Sequence, residues 1–139
     1  MATIERHIAR DLVSLPAGAS CREAARLMKE RRIGAVAVTD GGQVVGLVAE
    51  RDLALRLVGE GAGPEVPLGE IVRRDGPAVG PRASEKQCAE LMRAHHVRHL
   101  LVRDAENVVG IISMRDVIVM MIEEKELVIT QLEGYISGH

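Results

Sequence analysis

Three groups of side chains in this sequence are of types that do chemistry. The first is a pair of Arg-Asp dipeptides, Arg51-Asp52 and Arg115-Asp116, each following an apolar run and opening a helix-forming stretch. Read locally, an Asp there caps a helix, worth on the order of 1 kcal/mol, and the Arg beside it is a donor for an anion. The second is the histidine group His95, His96 and His99. Two histidines four apart share a helix face, but His99 opens an apolar run that reads as a strand. No cysteine or further histidine lies close enough in sequence to complete a shell, so no metal is expected. The third is Cys21 and Cys88, which form no CxxC pair and sit inside apolar periodic segments, the pattern of small buried thiols. There is no Walker-type loop, nucleophile elbow or paired-carboxylate arrangement. The expectation is a protein that is not an enzyme.

A duplication positions these groups. Shifting the chain by 64 positions lays Ala19-Ser20 on Ala83-Ser84, Leu27-Met28 on Leu91-Met92, Val44-Val45-Gly46 on Val108-Val109-Gly110, and Arg51-Asp52 on Arg115-Asp116. From Leu15 through Leu53 the register holds without a gap, with 12 identities in 39 pairs, too long a match for unrelated segments. In copy one, Ser20 with Glu23 three residues on reads as a helix start, and Ala24, Ala25, Leu27 and Met28 supply the apolar face. In copy two, Ser84 and Gln87 repeat the start, and Ala89, Leu91 and Met92 the face. A short apolar strand follows (35–38 and 99–102), then a turn (40–42 and 104–107), then a second strand (44–49 and 108–113) leading into the Arg-Asp helix. Strands joined so tightly pair antiparallel. With a first short strand near 13–15 and 77–79, the unit is β-α-β-β-α.

One such unit leaves a sheet face uncovered, and two can bury those faces against each other about a pseudo-two-fold axis. The expected fold class is therefore α/β (α+β), two tandem repeats packed through their sheets. The Gly- and Pro-rich stretch from Gly59 to Pro67 marks the boundary. It divides the chain into a first repeat with its N-terminal segment (1–62), a second repeat (63–122) and a helical extension (123–139).

This doubled unit resembles the cystathionine-β-synthase (CBS) domain family in its paired form, the Bateman module. The resemblance runs from about Asp11 to Met121. It is carried by Val36-Ala37-Val38-Thr39-Asp40 and Leu100-Leu101-Val102-Arg103-Asp104, and by Val-Val-Gly-Leu-Val-Ala-Glu-Arg-Asp ending at Asp52 and Val-Val-Gly-Ile-Ile-Ser-Met-Arg-Asp ending at Asp116. In that family a Gly-apolar-apolar-Ser/Thr-x-x-Asp segment holds an adenosine ribose, the Asp oxygens accepting from the two vicinal hydroxyls. The resemblance thus implies an adenosine-containing ligand between the copies (AMP, ADP, ATP, NAD or S-adenosylmethionine) and no required cofactor. Copy two keeps the pattern, Gly110, Ser113 and Asp116, with Arg115 alongside; copy one keeps Gly46 and Asp52 but has Ala49 in place of the hydroxyl. Each family cleft draws strand residues from the other copy. Gly34, Ala35 and Val36, with backbone near Val13, are implied opposite Asp116. Arg98 and His99 are implied opposite Asp52, and Ala78, on the first strand of copy two, completes the set. Arg98-His99 resembles the family's phosphate-binding basic pair, which usually runs His-Arg. The family reading further implies a homodimer that signals to a separate, regulated partner protein.

Composition narrows the alternatives. The chain of 139 residues has no Trp or Phe and one Tyr, a net charge of −2 and a pI near 6.2. It therefore lacks stacking platforms and a broad basic field, and nucleic-acid binding is not expected. Arg22, Arg26, Lys29, Arg31 and Arg32 still form a local basic face, which keeps a nucleic-acid-binding regulator as one alternative and a ligand-independent dimeric scaffold as another. The first ten residues carry charges throughout, and the longest apolar run, 117–122, is too short to cross a bilayer. A cytoplasmic protein without a membrane partner is expected. Past the repeat, Val117, Met121, Leu127, Val128 and Leu132 form an apolar stripe on a helix whose other face is acidic, a surface expected to self-associate.

Overall fold

A computed structural model describes residues 2–136. Copy one comprises β1 (Ser14–Pro16), α1 (Cys21–Arg31), β2 (Ala35–Asp40), β3 (Gln43–Ala49) and α2 (Glu50–Leu53), which continues as a π-helical turn over Ala54–Gly59. Copy two comprises β4 (Ala78–Val79), α3 (Glu85–His95), β5 (His99–Asp104), β6 (Asn107–Ser113) and α4 (Met114–Ile136). The first helices start where the serines dictate. Ser20 Oγ accepts the Glu23 N–H at 3.1 Å, and Ser84 Oγ accepts the Gln87 N–H at 3.1 Å while Gln87 Oε1 accepts the Ser84 N–H at 2.9 Å. Both helices end on a residue in the left-handed region, Arg32 and His96, each with φ 54°. For a non-glycine this costs about 1–2 kcal/mol. The position turns the chain back from the helix into the next strand.

In each copy the central strand pairs parallel with the short first strand and antiparallel with the third, in the orders β1-β2-β3 and β4-β5-β6. Strand alternation then divides the apolar residues between two destinations. Val36, Val38 and Val48 join Cys21, Ala24 and Met28 in one core; Leu100, Val102 and Ile112 join Cys88, Met92 and Val117 in the other. Ala35, Ala37 and Leu101 point the opposite way, belong to neither core, and are buried all the same. They lie where the two sheets meet and β3 packs against β5. The repeats are thus packed through their sheets.

Each copy also completes its core with a segment that precedes the other copy in sequence. Ile4 and Ile8, in and just after a 3-10 turn (Ile4–His7), sit in the core of copy two. Leu68 and Ile71, in and just after the turn Leu68–Glu70, sit in the core of copy one. The exchange has the same form in both copies. Ile4 N–H donates to the Ala83 carbonyl at 2.9 Å and Leu68 N–H to the Ala19 carbonyl at 2.8 Å; Ala9 bridges to Ile111 as Arg73 does to Leu47. The crossing segments need Gly46 and Gly110. A Cβ at Gly110 would lie 2.5 Å from the Ala9 carbonyl oxygen, and one at Gly46 would run into that of Arg73.

The copies differ at their ends. The second helix of copy one stops at Gly59, near Gly61 with φ +73°, whereas α4 continues to Ile136. The stripe expected on α4 is split. Val117 turns into the core with Met120, while Met121, Leu127, Val128 and Leu132 are exposed because the core ends after the helix's first two turns. No helix is long and apolar enough to cross a membrane among the described residues.

Candidate functional site

Both Asp residues stand three positions past the residue that starts their helix, and each turns one oxygen back onto the backbone. Asp116 Oδ2 accepts the Ser113 N–H at 2.9 Å and the Ser113 hydroxyl at 2.7 Å, while Ser113 Oγ accepts the Asp116 N–H at 3.1 Å. This closed box holds the carboxylate in one orientation. Its other oxygen, Oδ1, has no hydrogen-bond or ion-pair partner among the described residues. Beside it opens a cleft of about 1110 Å³ with Val13, Gly34 and Ala35 on the far wall, and with Lys29, Arg32, Arg98 and Arg115 as its cations.

The pseudo-symmetric carboxylate is fully engaged. Asp52 Oδ2 accepts the Ala49 N–H at 2.8 Å, and Arg73 Nη2 reaches Asp52 Oδ1 at 3.2 Å. The cavity there is about 90 Å³. Two pairs of positions make the difference. Arg73 stands where the 64-residue shift puts Ala9 in copy two, and Arg98-His99 stand where it puts Gly34-Ala35. Small residues leave one cleft open, and the larger Arg73, Arg98 and His99 narrow the other.

His99 lies between the two and lines both. It packs on Gly34, where a Cβ would come within 3.1 Å of its Cε1. Its Nδ1 is buried without a hydrogen-bond partner among the described residues. Burial pushes the imidazole pKa down; the Glu50 and Asp116 carboxylates offset that in part, and the Arg98 guanidinium adds to it. His99 is accordingly neutral at neutral pH.

The CBS domain family profile matches residues 4–59 and again 68–123. The chain belongs to the CBS domain family. It is a tandem pair of such domains, the Bateman arrangement. It is 29% identical to the CBS domain-containing protein YhcV of Bacillus subtilis over 119 residues, 86% of this chain and 85% of that one. A CBS-domain containing protein from Agrobacterium tumefaciens superposes with a TM-score of 0.76 at 31% identity, over 85% of this chain and 94% of that one. A CBS domain pair solved in complex with 5-methylthioadenosine and S-adenosyl-L-methionine shares the fold, with a TM-score of 0.78 at 18% identity over 89% and 98% of the chains.

Within this CBS pair, the residues expected around Asp116 divide clearly. Ser113, Arg115, Gly34, Ala35 and Val13 line its cleft together. Val36 does not, because strand alternation turns its side chain into the core of copy one, where it is fully buried. Ala78 lines neither cleft; it pairs with Leu101 inside the sheet. Arg98 and His99 border both clefts rather than the Asp52 side alone. His95, His96 and His99 fall on the end of α3, its left-handed cap and β5, and no group of three metal-ligating side chains forms among the described residues. Contributors outside the sequence reading of the site include Ala9, Arg73 and Glu50. The first two carried a signal, since extending the 64-residue shift toward the N-terminus sets Ala9 against Arg73. Glu50 carried none, as its approach to His99 and Gly34 depends on how the copies dock.

Proposed function

We propose that this CBS pair is a non-catalytic regulatory module that binds an adenosine-containing ligand in the Asp116 cleft and signals to a partner protein. The observation that carries the reading is a carboxylate locked by Ser113 with one oxygen unpartnered, facing a cleft of about 1110 Å³ walled by Gly34 and Ala35. That oxygen accepts from the ribose hydroxyls, and the base lies flat where the strand presents hydrogen and methyl rather than longer side chains. Arg115, Lys29 and Arg32 receive phosphate beside the N-terminal end of α4, whose free amides favour an anion. Ligand bound between the copies shifts their arrangement to the extent that it prefers one state over another. The ligand complex of the CBS pair cited above supports an adenosyl ligand as a class. The cations of this cleft favour AMP, ADP, ATP or NAD over S-adenosylmethionine.

The module acts as a homodimer in the cytoplasm. The exposed apolar residues of α4 support the first statement, and the two buried, unpaired cysteines fit a reducing compartment. Calorimetric titration with AMP, ATP, NAD and S-adenosylmethionine tests the ligand reading. One of them is expected to bind saturably to the native chain and to lose that binding in Asp116→Ala. Absence of binding by all four would leave a ligand-independent scaffold.

A further inference from the structure

Helix α4 borders the Asp116 cleft with its first turns and then leaves the body of the molecule. Ile118 and Val119 line the cleft, while beyond Met120 the apolar side chains of the helix are exposed. A helix gains most of its stability by packing an apolar face, and here that face is open. Ile118, Ile122, Lys125, Ile129, Leu132 and Ile136 follow one another at alternating steps of four and three, the seam of a coiled coil. Lys125 is its one polar member.

The residues flanking the seam decide which way a partner helix runs. On one flank stand Met121, Val128 and Tyr135, on the other Val119, Glu126 and Glu133. Parallel helices set one flank against the other, which lays the glutamates on apolar neighbours, and they put Lys125 level with the partner's Lys125. Antiparallel helices set like flank against like. The apolar flanks then close on each other, and Lys125 and Glu126 of both copies alternate near the midpoint as a neutral cluster. A single antiparallel register also matches the whole seam. Ile118 meets the partner's Ile136, Ile122 the partner's Leu132, and Lys125 the partner's Ile129. The overlap spans about 27 Å, which holds the two bodies at opposite ends of the helix pair.

We infer that α4 pairs antiparallel with α4 of a second copy in this register, which lays the partner's Ile136 on Ile118 at the rim of the Asp116 cleft. The contact between copies then forms part of the cleft wall, so ligand binding and pairing favour each other. That last step rests on the function proposed above; the pairing does not.

Thiol cross-linking of the full chain tests the register, and the native Cys21 and Cys88 are buried out of reach. Ile118→Cys is mixed with Ile136→Cys, and separately Ile122→Cys with Leu132→Cys, under mild oxidation. Each mixture is expected to give a disulfide-linked dimer, and each variant alone none. Position 122 lies about 15 Å along the axis from its own counterpart in this register. A disulfide spans no more than roughly 7 Å between Cα atoms. Linking within a single variant shows parallel pairing and overturns the inference, as does failure of either mixture to link. AMP and ATP are then titrated into the dimer linked through positions 122 and 132, and into the same sample reduced and diluted to monomer. Binding at least about fivefold tighter is expected in the linked dimer. Equal affinity overturns the shared rim. Binding of neither nucleotide to either form counts against the ligand reading alone, because the cross-links are read without ligand.

Discussion

Single residues set the chemical character of the two clefts. Asp52 and Asp116 make the same backbone bond to the residue three positions before them, at 2.8 and 2.9 Å, so capping alone does not distinguish them. What distinguishes them is the second oxygen, held by Arg73 in one case and without a partner among the described residues in the other. His99 between them has a consequence for stability. Its folded-state pKa lies below the ordinary 6.5 because of burial, and the charged groups facing it are Glu50, Asp52, Asp116 and Arg98. As pH falls below that value the unfolded chain takes up the proton first, so stability is lost on acidification and regained toward neutrality. Thermal melts between about pH 7 and pH 5 are expected to show a steeper fall in Tm for the native chain than for His99→Gln. Parallel pH profiles would mean that His99 titrates normally in the folded protein.

Among the elements, the crossing segments are the ones that tie the two copies together. Residues 4–9 reach the core of copy two and residues 66–73 that of copy one, and each passes over a glycine of a third strand. Gly46 and Gly110 read in sequence as part of a ligand-holding motif. In the fold they make room for the Arg73 and Ala9 carbonyls, a packing role. Gly110→Ala is expected to destabilise the protein by ~1–3 kcal/mol, the usual cost of overpacking against backbone. Gly18→Ala, where a Cβ meets nothing within 4 Å, serves as the control in the same denaturant melts. Equal stability of the two variants would show that the crossing segment can shift at little cost.

At the scale of the whole molecule, α4 carries Ile118, Ile122, Leu127, Val128, Ile129, Leu132 and Ile136 exposed on its surface. Ile122, Ile129 and Ile136 recur every seven residues, a spacing that keeps one seam facing a partner helix. On the proposal that the chain self-associates through this helix, truncation after Glu124 is expected to lower the mass in light scattering to that of a monomer, and an unchanged mass would defeat it. The duplication, the β-α-β-β-α unit and the serine-started helices were legible in the sequence, because caps, strand alternation and turn residues act over a few positions. So was the difference of a hydroxyl between Ser113 and Ala49. The exchange of N-terminal segments, the latch of Arg73 on Asp52 and the position of His99 on both clefts were settled only in three dimensions. Each joins groups far apart in the chain, and their approach depends on how two cores dock rather than on any local propensity.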